Sequence, residues 1–312
     1  MIKRTEGIHH ITAIVGNPQE NVDFYAGVLG LRLVKRTINF DDPGTYHFYF
    51  GDEVGNPGTI MTFFPWPNAY KGRIGSGQVG VTSFVVPTGS FPFWEERLKK
   101  FNVEVTKSSR FGEDYLNFED PHGLQLELVE REPGKKSEWS FGEVTSEVAI
   151  KGFGGATLLS ARPAYTAKLL EETMGLEKIG EDGEYVRFQA TADIGNIIDM
   201  KLSPVPKGMM GAGTVHHIAY RAKNDEDQLD WKSHVESAGF GVTPVQPRQY
   251  FNAIYFREYG DILFEIATDP PGFTLDEPQD SLGEKLMLPD WYEPQRDKIE
   301  KVLLPFKVRE LD

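Results

Sequence analysis

The same order of elements can be read four times along this chain: an apolar strand, a helix, then about three strands, in roughly 55 residues each. The units lie near 8–66, 78–132, 150–206 and 213–270. Phe24-Tyr25-Ala26-Gly27-Val28-Leu29-Gly30-Leu31 has a partner in Leu169-Leu170-Glu171-Glu172-Thr173-Met174-Gly175-Leu176. Each reads as a short amphipathic helix ended by a glycine, where a left-handed residue stops the helix. Strand-like runs precede them (His10 to Val15, Ala156 to Ser160) and follow them (Arg32 to Thr37, Glu177 to Ile179). The second and fourth units carry strands at Val79–Val86 and His217–Arg221, and helices at Phe93–Phe101 and Asp225–Ala238. Their later strands are Tyr115–Phe118, Leu124–Val129, Ala253–Phe256 and Ile262–Ile266.

This pattern defines an α+β chain of four βαβββ modules. One helix and a small sheet cannot cover their own apolar face, so modules must pair. The charged Pro-Gly stretch Glu132-Pro133-Gly134-Lys135-Lys136-Ser137 is the expected boundary. It divides the chain into halves 1–140 and 141–270 of two modules each, followed by an acidic tail, 271–312. The tail should end in a helix over Asp290 to Leu304, with Trp291, Tyr292, Ile299, Val302 and Leu303 on its apolar side. Lys35-Arg36 and Lys99-Lys100 read as solvated.

Two histidine doublets stand in matching settings at opposite ends: Ile8-His9-His10-Ile11-Thr12 and Val215-His216-His217-Ile218-Ala219. The chain has 7 histidines in 312 residues, for which random order gives roughly 0.13 adjacent pairs. Imidazole is the commonest metal ligand at neutral pH. Glu265 is the third candidate, a carboxylate in the apolar run Ile262 to Ile266, costly there unless paired or metal-bound. Two imidazoles and one carboxylate leave open coordination positions, as in non-haem Fe(II) oxygenases; zinc, manganese and nickel use such ligands too. Alternation along a strand lets one histidine of each doublet face the ligand set, and periodicity does not say which.

The second and third units start with Gln78-Val79-Gly80-Val81 and Gly154-Gly155-Ala156-Thr157, without histidine. Pairing the first unit with the last therefore gathers two histidines and Glu265 in one cavity, with the middle units as a metal-free companion. Glu127 then reads as structural. His47 and His122 fit strand and turn roles, and His234 a solvated helix face. Tyr255, in the strand beside Glu265, could donate a proton to bound oxygen or be a core aromatic. Arg248 could steady an anionic substrate or be a loop cation.

A net charge of −14 argues against nucleic acid and anionic membranes as partners. No stretch approaches the ~20 apolar residues of a membrane span. Met1 to Glu6 lacks the apolar run of a signal peptide, so a cytoplasmic protein is expected. With no cysteine, disulfides, thiolate zinc sites and cysteine nucleophiles are excluded. A thiol-free chain would also suit a substrate or product that attacks thiols, as quinones do. No Walker loop, dinucleotide fingerprint or nucleophile elbow is present.

The chain resembles the vicinal oxygen chelate superfamily of paired βαβββ units, which includes glyoxalase I, bleomycin resistance proteins and extradiol dioxygenases. It is closer still to the hydroquinone-cleaving branch. The runs that carry the resemblance include Ile8–Thr12, Val34–Thr37, Tyr46–Phe50, Gly55–Thr62 and Phe64-Pro65. Late ones are Val215–His217, Phe264–Thr268 and Gly272–Thr274. The resemblance implies two open barrels of paired modules, with Fe(II) held by His10, His217 and Glu265. It implies His9, Thr12, His216, Arg248 and Tyr255 as pocket residues. The implied reaction is O₂-dependent cleavage of a small aromatic diol, aided by a pocket acid, and a homo-oligomer is compatible with it. A glyoxalase-type isomerase or thiol transferase would use two carboxylates, and a ligand-sequestering protein would need no triad.

Overall fold

Four irregularities at equivalent places fix the architecture. In a computed structural model, which describes residues 3–311, the chain forms two eight-stranded sheets. The first module runs β1 (Ile8–Val15), α1 (Pro18–Val22), β2 (Arg32–Asn39), β3 (Asp42–Gly51) and β4 (Ile60–Pro65). The second has β5 (Gln78–Val86), α2 (Phe91–Lys100), β6 (Thr106–Arg110), β7 (Glu113–Glu119) and β8 (Gln125–Glu130). The third has β9 (Gly152–Leu159), α3 (Pro163–Lys168), β10 (Glu177–Asp182), β11 (Tyr185–Gln189) and β12 (Ile197–Lys201). The fourth has β13 (Thr214–Ala222), α4 (Asp225–Ser237), β14 (Gln246–Pro247), β15 (Asn252–Arg257) and β16 (Leu263–Thr268).

One sheet is ordered β14-β15-β16-β13-β1-β4-β3-β2 and the other β10-β11-β12-β9-β5-β8-β7-β6. The first module is therefore joined to the fourth, and the second to the third, through antiparallel seams β1/β13 and β5/β9. The boundary near residue 140 does not separate the sheets, because halves 1–140 and 141–270 each give one module to both. Every module presents the same kind of apolar face, so the place of the Pro-Gly stretch in the sequence does not dictate which faces meet. One apolar core runs through both sheets, from Phe63 and Tyr220 to Phe84, Trp94 and Phe153.

Each seam strand carries a bulge. Ile8 and His10 pair with the consecutive residues Tyr220 and Ala219, leaving His9 as the extra residue, and His216 is skipped likewise between Val215 and His217. In the other seam the extra residues are Gly80 and Gly154. A Cβ at Gly80 would collide with Leu159, and one at Gly154 with Val129. A bulge re-aims the side chains beside it. The two sheets thus share one backbone device, with histidines in one and glycines in the other.

The helices start and stop as the sequence indicates. Asn17 caps α1 through its side-chain oxygen, 2.8 Å from the Gln19 amide, and Pro18 opens the helix. That helix widens to a π-helical turn over Asp23–Val28 and stops at Gly30, where φ is +70°. It therefore begins six residues before Phe24. The tail departs from expectation. Its α-helix, α5, covers Arg296–Val302 after a 3₁₀ turn at Glu293–Gln295. Pro294 cannot continue a preceding helix, and Pro305 disfavours helical backbone at Leu304. Ile299 and Leu303 are buried, whereas Trp291 and Val302 are exposed. Lys35, which read as solvated, is fully buried under the tail, where Asp276 (2.6 Å) and Glu277 take its charge. His234 is not merely solvated either, because Nε2 lies 3.0 Å from the Thr173 carbonyl.

The second sheet holds an ionic cluster where the first holds histidines. Arg110 grips both oxygens of Glu127, and its Nε donates to Asp199 Oδ2 at 2.7 Å. Arg187 Nε donates to Asp199 Oδ1 at 2.7 Å, and Nη1 to Glu113 Oε2 at 2.6 Å. Burial alone would raise the Glu113 pKa, but hydrogen bonds from Arg131, with its charge, hold it at about 2. A depressed carboxylate adds stability above its unfolded pKa and loses it as pH falls through the folded value. Wild type should therefore be more stable than Glu113→Gln at pH 6, by denaturant unfolding. The gap should close between about pH 4.5 and 2.

Candidate metal centre

Seam geometry brings residues 207 positions apart into contact. His10 Nε2 lies 3.2 Å from His217 Nε2. Glu265 Oε2 lies 2.9 Å from His217 Nε2 and 3.3 Å from His10 Nε2. Glu265 reaches them because β16 runs parallel to β13 with Glu265 beside Ala219. One ligand atom from each of the three residues falls within 4.8 Å of the others. His10, His217 and Glu265 are at most 5% exposed. Both Glu265 oxygens are buried without a hydrogen bond of good geometry, so the short contacts are lone pairs facing a common point. Burial alone would raise the Glu265 pKa, yet the two imidazoles keep it well below the usual carboxylate range. This buried set fits a divalent cation.

The bulges explain the doublets. His10 Nδ1 lies 2.9 Å from His9 Nδ1, and His217 Nδ1 lies 2.7 Å from His216 Nδ1. When the inner histidine donates from Nδ1, its Nε2 presents a lone pair to the common point. In that arrangement the outer imidazole would hold the tautomer of its neighbour, as outer partners do where histidine binds a metal. Burial, then the His217 charge, lowers the His216 pKa to about 3; burial, then His10, lowers that of His9 well below its usual value. Both stay neutral and able to accept.

A cavity of about 480 Å³ opens on His10 and His217, with Glu265 outside its lining. His216, Tyr255 and Arg248 line it beside His10 and His217. His9 lies behind, on a separate cavity of about 210 Å³ with Phe273 and Asn56. Thr12 is fully buried and bonded to Thr62, 2.8 Å between hydroxyls, outside the cavity lining. Tyr255 pairs across strands with Glu265. Burial and the nearby Glu265 push its pKa up, so the phenol keeps its proton. Arg248 donates to the Tyr255 hydroxyl at 3.2 Å and to Gln246 at 2.7 Å, and pairs with Asp41 at 3.1 Å.

His47 and Tyr49 also line this cavity, as do Phe64, Trp66 and Phe251. Sequence reading gave none of these a site role. The signal for two of them is present: alternation in Tyr46-His47-Phe48-Tyr49 puts His47 and Tyr49 on one face of β3. His122, by contrast, sits in its turn, with Nε2 accepting from the Asn17 amide at 3.2 Å.

The comparisons with known proteins agree with this architecture. The sequence profile of the Glyoxalase/Bleomycin resistance protein/Dioxygenase superfamily matches residues 7–128 and 153–276. The chain belongs to that superfamily. It is 69% identical over 312 residues, all of both chains, to "Putative ring-cleaving dioxygenase MhqO" of Bacillus subtilis (strain 168). It is 34% identical to the "Chlorohydroquinone/hydroquinone 1,2-dioxygenase" of Sphingobium indicum, over 95% of each chain. The crystal structure titled "putative dioxygenase" from Bacillus subtilis superimposes with a TM-score of 0.98 at 69% identity, covering 99% of this chain and 100% of the other. No helix among the described residues is long and apolar enough to cross a membrane.

Proposed function

We propose that this protein is an Fe(II)-dependent ring-cleaving dioxygenase that acts with O₂ on hydroquinone- or catechol-type aromatics. The observation that carries the reading is the buried triad of His10, His217 and Glu265, whose two histidines line an aromatic-rich cavity. Three protein ligands leave positions for a substrate oxygen and O₂. The names of the relatives bring ring cleavage into view.

When bound, the iron supplies Lewis acidity that favours an ionised phenol and a path for charge between ring and O₂. The chain's residues do the rest. His9 and His216 hold the tautomers of His10 and His217. The Arg248 guanidinium places positive charge beside the cavity, which favours an anionic substrate or product. Tyr255, kept protonated next to Glu265, would donate a proton to a reacting oxygen in the cavity. Phe64, Trp66 and Phe251 exclude water and pack against the substrate ring.

The test is O₂ uptake. Protein is loaded with Fe(II) without air, given methylhydroquinone or catechol, and then aerated. Uptake that requires both iron and a diol is the expected result. No uptake with any dihydroxybenzene would instead favour a metal-dependent isomerase of the same fold.

A further inference from the structure

Two residues that line the cavity, Arg248 and Phe251, stand at the ends of one strained turn. The turn, Arg248-Gln249-Tyr250-Phe251, joins β14 to β15. Gln249 has φ of +66°, a left-handed conformation that is costly for any residue but glycine. The Arg248 amide donates to the Phe251 carbonyl at 2.9 Å, and the Tyr250 amide to the Arg248 carbonyl at 2.8 Å. These bonds close the turn on itself but do not tie it to the rest of the molecule. A strained backbone persists only where its surroundings over-determine it. The Phe251 ring lies against both histidines of the first doublet, with centroids 4.9 Å from His10 and 5.3 Å from His9. The Arg248 guanidinium reaches the Tyr255 hydroxyl. Whatever holds this turn therefore sets two walls of the cavity.

The hold comes from the tail, through Tyr250. The Tyr250 hydroxyl donates to Asp276 Oδ2 at 2.9 Å, and its carbonyl accepts from the Gly272 amide at 3.0 Å. Its buried ring packs on Phe273, 5.1 Å between centroids. Asp276 is fixed in turn. Its other oxygen accepts from Lys35 Nζ at 2.6 Å, and the same ammonium lies 4.9 Å from the centre of the Tyr250 ring. Lys35 is fully buried and also pairs with Glu277, so its position is set from two sides. Lys35 belongs to β2, at one edge of the sheet, and the turn joins β14 to β15, at the other. The tail thus ties the two edges together, along a path from Lys35 through Asp276 and Tyr250 to Arg248 and Phe251. His10, His217 and Glu265 lie off that path, on β1, β13 and β16.

We propose that Asp276 is a positioning residue of the cavity: anchored by Lys35, it holds Tyr250 and through it the turn that presents Arg248 and Phe251 to the substrate. The inference rests on the reading of the cavity as the substrate site. Its test compares wild type with Tyr250→Phe, Asp276→Ala, the double variant of these two, and Asp276→Asn. None of these strands Lys35, which keeps Glu277. The readouts are KM and kcat of the iron-loaded enzyme with methylhydroquinone, calorimetric Kd for the same diol on the redox-inert zinc-loaded protein, and the unfolding midpoint. Tyr250→Phe and Asp276→Ala should each raise KM and Kd about 3- to 10-fold, the loss of one hydrogen bond. Their kcat should stay within about threefold of wild type, because the ligand set is off the path. The double variant should bind no worse than either single one, since both cut the same link. Asp276→Asn, which keeps a partner for the Tyr250 hydroxyl, should recover most of the affinity. A contact that only stabilised the fold would lower the midpoint and the active fraction and leave KM where it is. Wild-type KM in both single variants, multiplied losses in the double one, or equal losses in Asp276→Asn and Asp276→Ala would overturn the proposal. If wild type neither takes up O₂ nor binds the diol, the dioxygenase reading fails by itself. Amide hydrogen exchange over residues 246–252 then decides the role of Asp276: it should quicken in Asp276→Ala and not in Asp276→Asn, and unchanged exchange in Asp276→Ala would overturn the proposal.

Discussion

His217→Ala should leave a folded protein that neither retains iron nor consumes O₂ with any diol. The substitution removes one of three converging ligands and leaves Glu265 facing His10 alone, in a site at most 5% exposed. Loss of an outer partner of a ligand typically weakens a metal site by about 10–100-fold. Loss of the ligand itself should exceed that range. His216→Ala supplies the calibrating case, because it removes only the Nδ1 partner of His217. Its iron affinity should fall by about 10–100-fold and recover at high iron. Both are read by metal content after dialysis and by titration against a competing chelator. Iron retained at the wild-type level in His217→Ala would refute the ligand assignment.

Arg110→Met should destabilise the protein by about 3–5 kcal/mol without altering iron content. Glu127 and Asp199 are at most 2% exposed, and Arg110 bonds to both. Removing one partner of a buried pair costs more than the pair contributes, because the remaining charge stays in the interior. The double variant Arg110→Met, Glu127→Gln removes the stranded charge, because Asp199 keeps Arg187 as its partner, and should regain most of the loss. Denaturant midpoints measure both. A midpoint for Arg110→Met equal to wild type would show that the cluster does not hold the second sheet together. The comparison also probes the seam itself: by sheet register Glu127 sits where Glu265 sits in the other sheet, beside Ser83 in place of Ala219. In the second sheet a guanidinium faces the carboxylates.

Some of this was legible in the residues because it is local. Strand alternation, helix-stopping glycines and the fourfold recurrence depend on neighbours a few positions away. The doublets were visible as a departure from chance, and the absence of histidine from the middle modules pointed to the pairing of first with last. Other features had no local signature. Lys35 read as solvated beside Arg36; its partners Asp276 and Glu277 arrive with the tail, about 240 residues on. Alternation sends neighbours to opposite faces, so it gave a ligand role to one histidine of each doublet without saying which. A bulge at His9 and at His216 overrides that rule, and a bulge is a property of two strands in register. Gly80 and Gly154-Gly155 inside apolar strands were the available hint, because glycine there often marks a bulge.

The sequence by itself determined four modules of one kind, a cysteine-free chain, and two histidine pairs with one costly carboxylate. Short-range periodicity and composition encode these. Only the tertiary structure decided which seam strands face each other, which histidine of each pair turns inward, and that His47 and Tyr49 line the same cavity as Tyr255. Those outcomes follow from antiparallel register across residues about 200 apart. There the burial of nearly equivalent apolar faces is non-directional, and the polar groups at the seam must find partners once they are buried.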